Sequence, residues 1–304
     1  MAEKKNSPIK KTFFKIATLI CAIVLAVSIG LMIRNYLTEK NAADTFEIMQ
    51  TMTVTDGNPP DAPTPTAEPT KIPEAEETVK EVPDIDILAE RSIPMPDKSF
   101  DWDAILAMNS DIYAWIFIPG TAVDYPILQD EADDTYYLEH NLDGSAGLPG
   151  CIYTEKANKK DFLDFCTLVY GHNMKDGTMF KTLHSYEDGG FFNDNRYMYI
   201  YLPDGTTYVY DIFSSAIFGN EHILETYLFE KEEQCEAYLS DLKNARNMVN
   251  YYRDGVNVTS KNHIVTLSTC VGTGEFQRLL ISGVLINDPS MRGDEQLKNL
   301  YQEG

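Results

Sequence analysis

Hydrophobic and polar positions divide the chain into three stretches of different texture. From Ile16 to Ile33 it reads IATLICAIVLAVSIGLMI, 18 residues without a charge, and Phe13 and Phe14 extend the run past Lys15. At about 1.5 Å per residue, a helix of this length approaches the roughly 30 Å of bilayer hydrocarbon, and Lys15 can snorkel to the interface. The pattern predicts a transmembrane helix over 13–33. A cleaved signal peptide would carry a shorter apolar core and a small-x-small site, whereas Arg34-Asn35-Tyr36 follows here. The second stretch has seven prolines between Pro59 and Pro83, set among Thr, Glu and Ala. Such text buries too little surface to offset ordering entropy. It predicts an acidic, Pro-rich linker over 34–98, a stalk that is extended and partly polyproline II.

From 99 to 304 the periodicity is that of a folded domain. Phe100, Ala104, Ile105 and Met108 suit one face of a short helix. Strands are predicted at Ala114–Ile118, Val123–Ile127, Cys151–Thr154 and Thr167–Tyr170, with a helical turn at Asp133–His140. Two aromatic-rich runs around Pro203-Asp204-Gly205 predict a hairpin over Tyr197–Phe213. A helix is predicted over 231–250, then strands at His263–Thr269 and Leu279–Ile286. Many short strands, few helices and no repeat make the domain mostly β, a closed or nearly closed barrel with helical insertions.

Charge changes the picture next. The chain holds 25 Lys+Arg and 47 Asp+Glu, a net of −22. That balance excludes nucleic acid as the main partner, since phosphate binding needs a basic surface. The acid is unevenly placed: residues 1–40 carry a net +5, residues 41–98 a net −9 and the remainder −18. The basic excess precedes the apolar run, so residues 1–12 are predicted to be cytoplasmic and the domain to lie outside the cell.

Five cysteines leave at least one unpaired within the chain. Cys21 lies in the apolar run and Cys235 in the predicted helix. Cys151 and Cys166 adjoin apolar strands and read as buried thiols, with a bridge between them left open. No CxxC spacing suggests zinc. Cys270 differs, because it ends a predicted strand and precedes Val271-Gly272-Thr273-Gly274, a rigid support opening on a loop, as a nucleophile needs. Arg278 opens the next strand, where a guanidinium can stabilise a thiolate or an oxyanion. Among five histidines, His172 also sits at a strand-to-loop junction, and spacing favours it without excluding the rest. His184 lies in helix-like text, His140 and His222 in polar text, and His263 at the far end of the Cys270 strand.

At these positions the sequence resembles the sortases, and most closely their class B. The shared text is TLSTC (Thr266–Cys270) with a downstream Arg, LVYGHNM (Leu168–Met174) with GTMF (Gly177–Phe180), and AWI…T.VDYPI.Q (Ala114–Gln129). The resemblance spans about Phe100 to Ile286. It implies a sortase-type eight-stranded β-barrel, with Cys270 as nucleophile, His172 as catalytic histidine and Arg278 as catalytic arginine. It also implies that Ser268 and Thr269 line the substrate groove and that Leu138 forms an apolar wall. Two positions depart from the pattern of some members: Asp134 stands where they have Asn, and Val271 where they have an acid.

The implied activity is that of a membrane-anchored cysteine transpeptidase. It would cleave a C-terminal sorting motif of secreted proteins after Thr and pass the acyl group to the amine of a lipid-linked peptidoglycan precursor. Arg278, with a backbone N–H near Val271, would stabilise the oxyanion. No metal or organic cofactor is required. Three other readings stay open: a pilus-assembling sortase that joins pilins through a lysine, a thiol protease that only hydrolyses, and a non-enzymatic extracellular binding module.

Overall fold

The alternation that marks the strands in the sequence is what lets them close on themselves, one face inward and the other under helices and loops. The computed structural model describes residues 8–54, 87–272, 276–289 and 298–301. Its strands are β1 (Ile112–Phe117), β2 (Asp124–Leu128), β3 (Ile152–Thr154), β4 (Cys166–Tyr170), β5 (Tyr197–Tyr201), β6 (Thr207–Gly219), β7 (Ile264–Cys270) and β8 (Gln277–Leu285). Their lateral order is β8-β7-β4-β3-β2-β1-β5-β6, and β6 pairs back onto β8, which closes the eight-stranded barrel expected from the sequence. The β2–β3 and β4–β7 pairs are parallel and the others antiparallel. Trp115, Ile116, Val169, Tyr199, Tyr210, Phe213, Leu267 and Ile281 are fully buried. Each such apolar side chain contributes about 1.5–3 kcal/mol over its exposed state.

β6 runs past the predicted end at Phe213 to Gly219 and is thirteen residues long. Its first half takes β5 on one edge, and the pair Tyr251–Tyr252 takes over that edge at Ser214–Ser215. β8 follows the other edge from Tyr210 to Gly219.

Three helices matter for the site. α1 spans Pro8–Thr51, α2 spans Trp102–Met108 and α3 spans Glu232–Asn244. Asp101 caps α2 by accepting from Ala104 N at 3.0 Å, and Ile105 turns to the core. α3 ends six residues before the predicted 250. Its Cys235, Tyr238, Leu239 and Leu242 recur at helical spacing and are buried, with Glu232 and Glu233 in the first turn and Lys243 in the last.

Part of the linker expected over 34–98 is helical. α1 carries the one helix among the described residues long and apolar enough to cross a membrane, and it does not end at Ile33. It continues to Thr51, because 34–51 contains neither Pro nor Gly. Ala42, Phe46 and Met49, spaced i, i+4, i+7, are buried on one face of it. The Phe46 ring meets Tyr125 edge-on at 5.5 Å, and Gln50 Nε2 donates to the Asp124 carbonyl at 2.9 Å. Thr53–Val54 then pairs antiparallel with Ser99–Phe100. The prolines at 59–83 lie outside the described residues.

Candidate active site

The site is built by the end of β7 and its antiparallel neighbour β8. Val271 N donates to Gln277 O at 3.2 Å, so the adjacent pair Cys270–Arg278 occupies a non-hydrogen-bonded position of the ladder. Cross-strand side chains stand closest at such positions. Arg278 Nη1 accordingly donates to Cys270 Sγ at 2.7 Å. The register thus accounts for an eight-residue sequence spacing that by itself said little. The same ladder bond occupies the Val271 N–H, so this amide is not itself a free oxyanion donor. Thr273 and Gly274 of the expected loop lie outside the described residues.

His172 follows β4 through Gly171, whose N–H makes the last β4–β7 bond, to Ser268 O at 3.2 Å. Its Nε2 lies 2.8 Å from Leu138 O. A carbonyl only accepts, so Nε2 carries hydrogen and Nδ1 is the nitrogen left for proton exchange. Among the described residues, the ring makes no hydrogen bond to Cys270. The contact instead ties His172 to the helical turn Tyr136–Glu139, on which Leu138 keeps 36 % of its surface exposed.

Strand alternation sorts the remaining candidates. Ser268 lies two residues before Cys270, on the same face of β7. Thr269 lies one residue before it, on the opposite face, 2 % exposed and, among the described residues, with no hydrogen-bond partner for Oγ1. The structure therefore does not bring Thr269 to the groove side where it was expected. On the Cys270 side, Tyr170 pairs with Ser268, and Tyr153 stacks on Tyr170 at 5.3 Å between ring centres. Burial pushes both tyrosine hydroxyls up, and the nearby Glu155 carboxylate adds to the effect. His222 Nε2 lies 2.9 Å from Glu155 Oε1.

Two further residues escaped the sequence reading. The Cys270 carbonyl points to the β4 side, beyond the last bond of that ladder. Asn173 Nδ2 donates to it at 2.8 Å, and His184 Nε2 lies 3.1 Å from it. Asn173 had a signal, since it follows His172 in the GHN text. His184 had none beyond its residue type.

All five cysteines are free. Cys151 and Cys166 are each 1 % exposed and unbridged. Burial pushes the Cys166 thiol up to about 12, partly offset by its contact with Thr266.

Comparison with known proteins identifies the family. A family model described as a sortase domain matches residues 116–286, more than half of the chain. Sortase B of Listeria monocytogenes is 36% identical over 181 residues, covering 59% of this chain and 71% of that protein. The crystal structure of a mutant form of Clostridium perfringens sortase B superposes with a TM-score of 0.55 at 28% identity, covering 61% of this chain and 86% of that one. A Streptococcus pyogenes class B sortase involved in pilus biogenesis gives 0.52 at 27% identity, covering 61% and 97%. With a closed barrel, a thiol at its rim and these relatives, the chain belongs to the sortase family and, within it, to the class B cysteine transpeptidases.

Proposed function

We propose that Cys270 is the nucleophile of a transpeptidation at the outer face of the membrane. The observation that carries this reading is the Arg278–Cys270 contact at the open end of β7. The sulfur attacks the carbonyl of a threonine in a C-terminal sorting motif, and the carbonyl π electrons move to oxygen. Arg278 is placed to donate to that oxyanion. His172 gives a proton from Nδ1 to the departing amine as the C–N bond breaks and a thioester remains. An incoming amine then attacks the thioester, gives its proton to His172 and expels the sulfur. Ser268 and Leu138 lie beside this path and serve as walls for the peptide.

The substrate is a secreted protein bearing a sorting signal, and the acceptor is a lipid-linked peptidoglycan precursor. The basic residues before the apolar run keep 1–12 cytoplasmic and the barrel outside, with 13–33 in the membrane. Enzyme, substrate and acceptor are then confined to one surface, which raises their effective concentration. A second reading, the joining of pilins through a lysine, is favoured by the likeness to the Streptococcus pyogenes enzyme involved in pilus biogenesis.

The test uses the full chain in detergent, a library of Thr-containing quenched peptides and an added amine. Aminolysis of a preferred peptide that is lost in Cys270→Ala supports the reading. Hydrolysis that no amine diverts makes the protein a thiol protease, and activity that survives in Cys270→Ala moves the nucleophile elsewhere.

A further inference from the structure

β7 outruns β4, and this leaves the nucleophile with a problem of its own. Residues 264, 266, 268 and 270 turn their backbone groups toward β4, which ends at Tyr170. The carbonyl of Ser268 still finds Gly171 N, but that of Cys270 has no strand beside it. A strand end without a partner would leave the Cys270 peptide plane free to rock, and with it the sulfur.

Side chains take the place of the missing strand. Asn173 Nδ2 supplies one hydrogen bond to the Cys270 carbonyl, at 2.8 Å, from the loop that also carries His172. The second comes from the 3₁₀ helix Lys181–Glu187, anchored by the buried Leu183 and Tyr186. In a 3₁₀ helix residues three apart eclipse one another, so His184 and Glu187 share one side. His184 Nδ1 is bonded to Glu187 Oε1, and its Nε2 lies 3.1 Å from Cys270 O. Because that carbonyl can only accept, Nε2 must hold a hydrogen. Nδ1 is left to the Glu187 carboxylate. Both ring nitrogens are thus engaged, and the imidazole is fixed in its plane with one N–H aimed at the nucleophile's own carbonyl.

We infer that His184, oriented by Glu187, is a positioning residue for transpeptidation, one that holds the Cys270 peptide in the attitude from which the sulfur attacks. This rests on Cys270 being the nucleophile. His184 touches neither substrate nor thiol and acts through the backbone of Cys270. Displacing an attacking atom by a fraction of an ångström slows the chemical step while leaving the peptide groove intact.

The test is a kinetic split on the full chain in detergent, with the best-cleaved peptide of the Thr-containing library. His184→Phe keeps the ring's bulk and removes both nitrogens. It lowers kcat about tenfold and leaves KM within about twofold. His184→Gln restores an N–H at the same reach from Cβ and recovers kcat to within about threefold. Glu187→Ala, which frees the ring to turn, falls between the two. Protection of Cys166 from iodoacetamide reports in each variant that the barrel is folded. An unchanged kcat in His184→Phe overturns the inference. So does a loss in His184→Gln as large as in His184→Phe, which would make the role one of bulk. A rise in KM at constant kcat would make it one of peptide binding and overturns it too. If Cys270→Ala is active, it is the nucleophile assignment that falls instead.

Discussion

Strands β4 and β7 lie side by side in parallel and carry a cysteine at opposite ends. Cys166 opens β4 opposite Ile264, and Cys270 closes β7 beyond the end of β4. Both side chains lie on the outer face of the barrel. The face around Cys166 is covered by α3, whose Tyr238 hydroxyl meets Thr266 at 3.2 Å, and Cys166 Sγ meets the same threonine at 3.6 Å. The face around Cys270 is left open, and its sulfur meets a guanidinium. The residue type, the strand pair and the face are shared. On the proposed reading, what separates the inert thiol from the nucleophile is whether a helix covers it and which charge stands across the ladder.

Breaking the open end should give the largest effect. Cys270→Ala is expected to reduce amine-dependent peptide transfer by at least about 10³-fold, because no second nucleophile replaces the sulfur. Circular dichroism should show an unchanged barrel. Arg278→Lys comes next. It keeps the charge but loses the planar fork that serves both sulfur and oxyanion, and a loss of about 10²-fold in kcat is expected. A variant within threefold of the parent would mean that a point charge suffices.

The contrast between the two cysteines was partly legible in the sequence. Strand periodicity located both, and the loop after Cys270 singled it out. The Cys270–Arg278 contact was only suggested, because an eight-residue gap becomes a contact only once the hairpin register is fixed. Thr269 was misplaced for a local reason: next to Cys270 in sequence means opposite to it in a strand. His184 was invisible as a partner, since its bond to Cys270 O spans 86 residues. The continuation of α1 to Thr51 was hidden differently. Three buried residues among many polar ones give little hydrophobic signal, and only the barrel surface beneath Ala42, Phe46 and Met49 gives them a purpose.

Thiol labelling sharpens the comparison without an activity assay. In the native protein at pH 8, iodoacetamide should modify Cys270 quickly, whereas Cys166 reacts only when the barrel opens. With a stability of about 5 kcal/mol, the second rate would be slower by more than about 10³-fold. A Cys166 that labels at a comparable rate would mean that α3 detaches locally.

The smallest effect concerns pH at the covered end. The Cys166 thiol, ordinarily near 9, is pushed up to about 12 by burial, so the folded state holds its proton where the unfolded state releases it. Its contribution to stability is fully present below pH 9 and is lost as pH rises toward 12. At pH 11 this loss is on the order of 2 kcal/mol. Buried tyrosines such as Tyr186, whose hydroxyl burial also pushes up, drive stability the same way, so the thiol must be read by difference. Cys166→Ala should start about 1 kcal/mol less stable at pH 8, from the lost sulfur contacts, and should lose less than the parent between pH 8 and pH 11. Urea midpoints at the two pH values measure both quantities. Parallel lines for parent and variant would mean that Cys166 ionises in the folded protein as readily as in the unfolded chain, and the two ends of the strand pair would then differ in access alone.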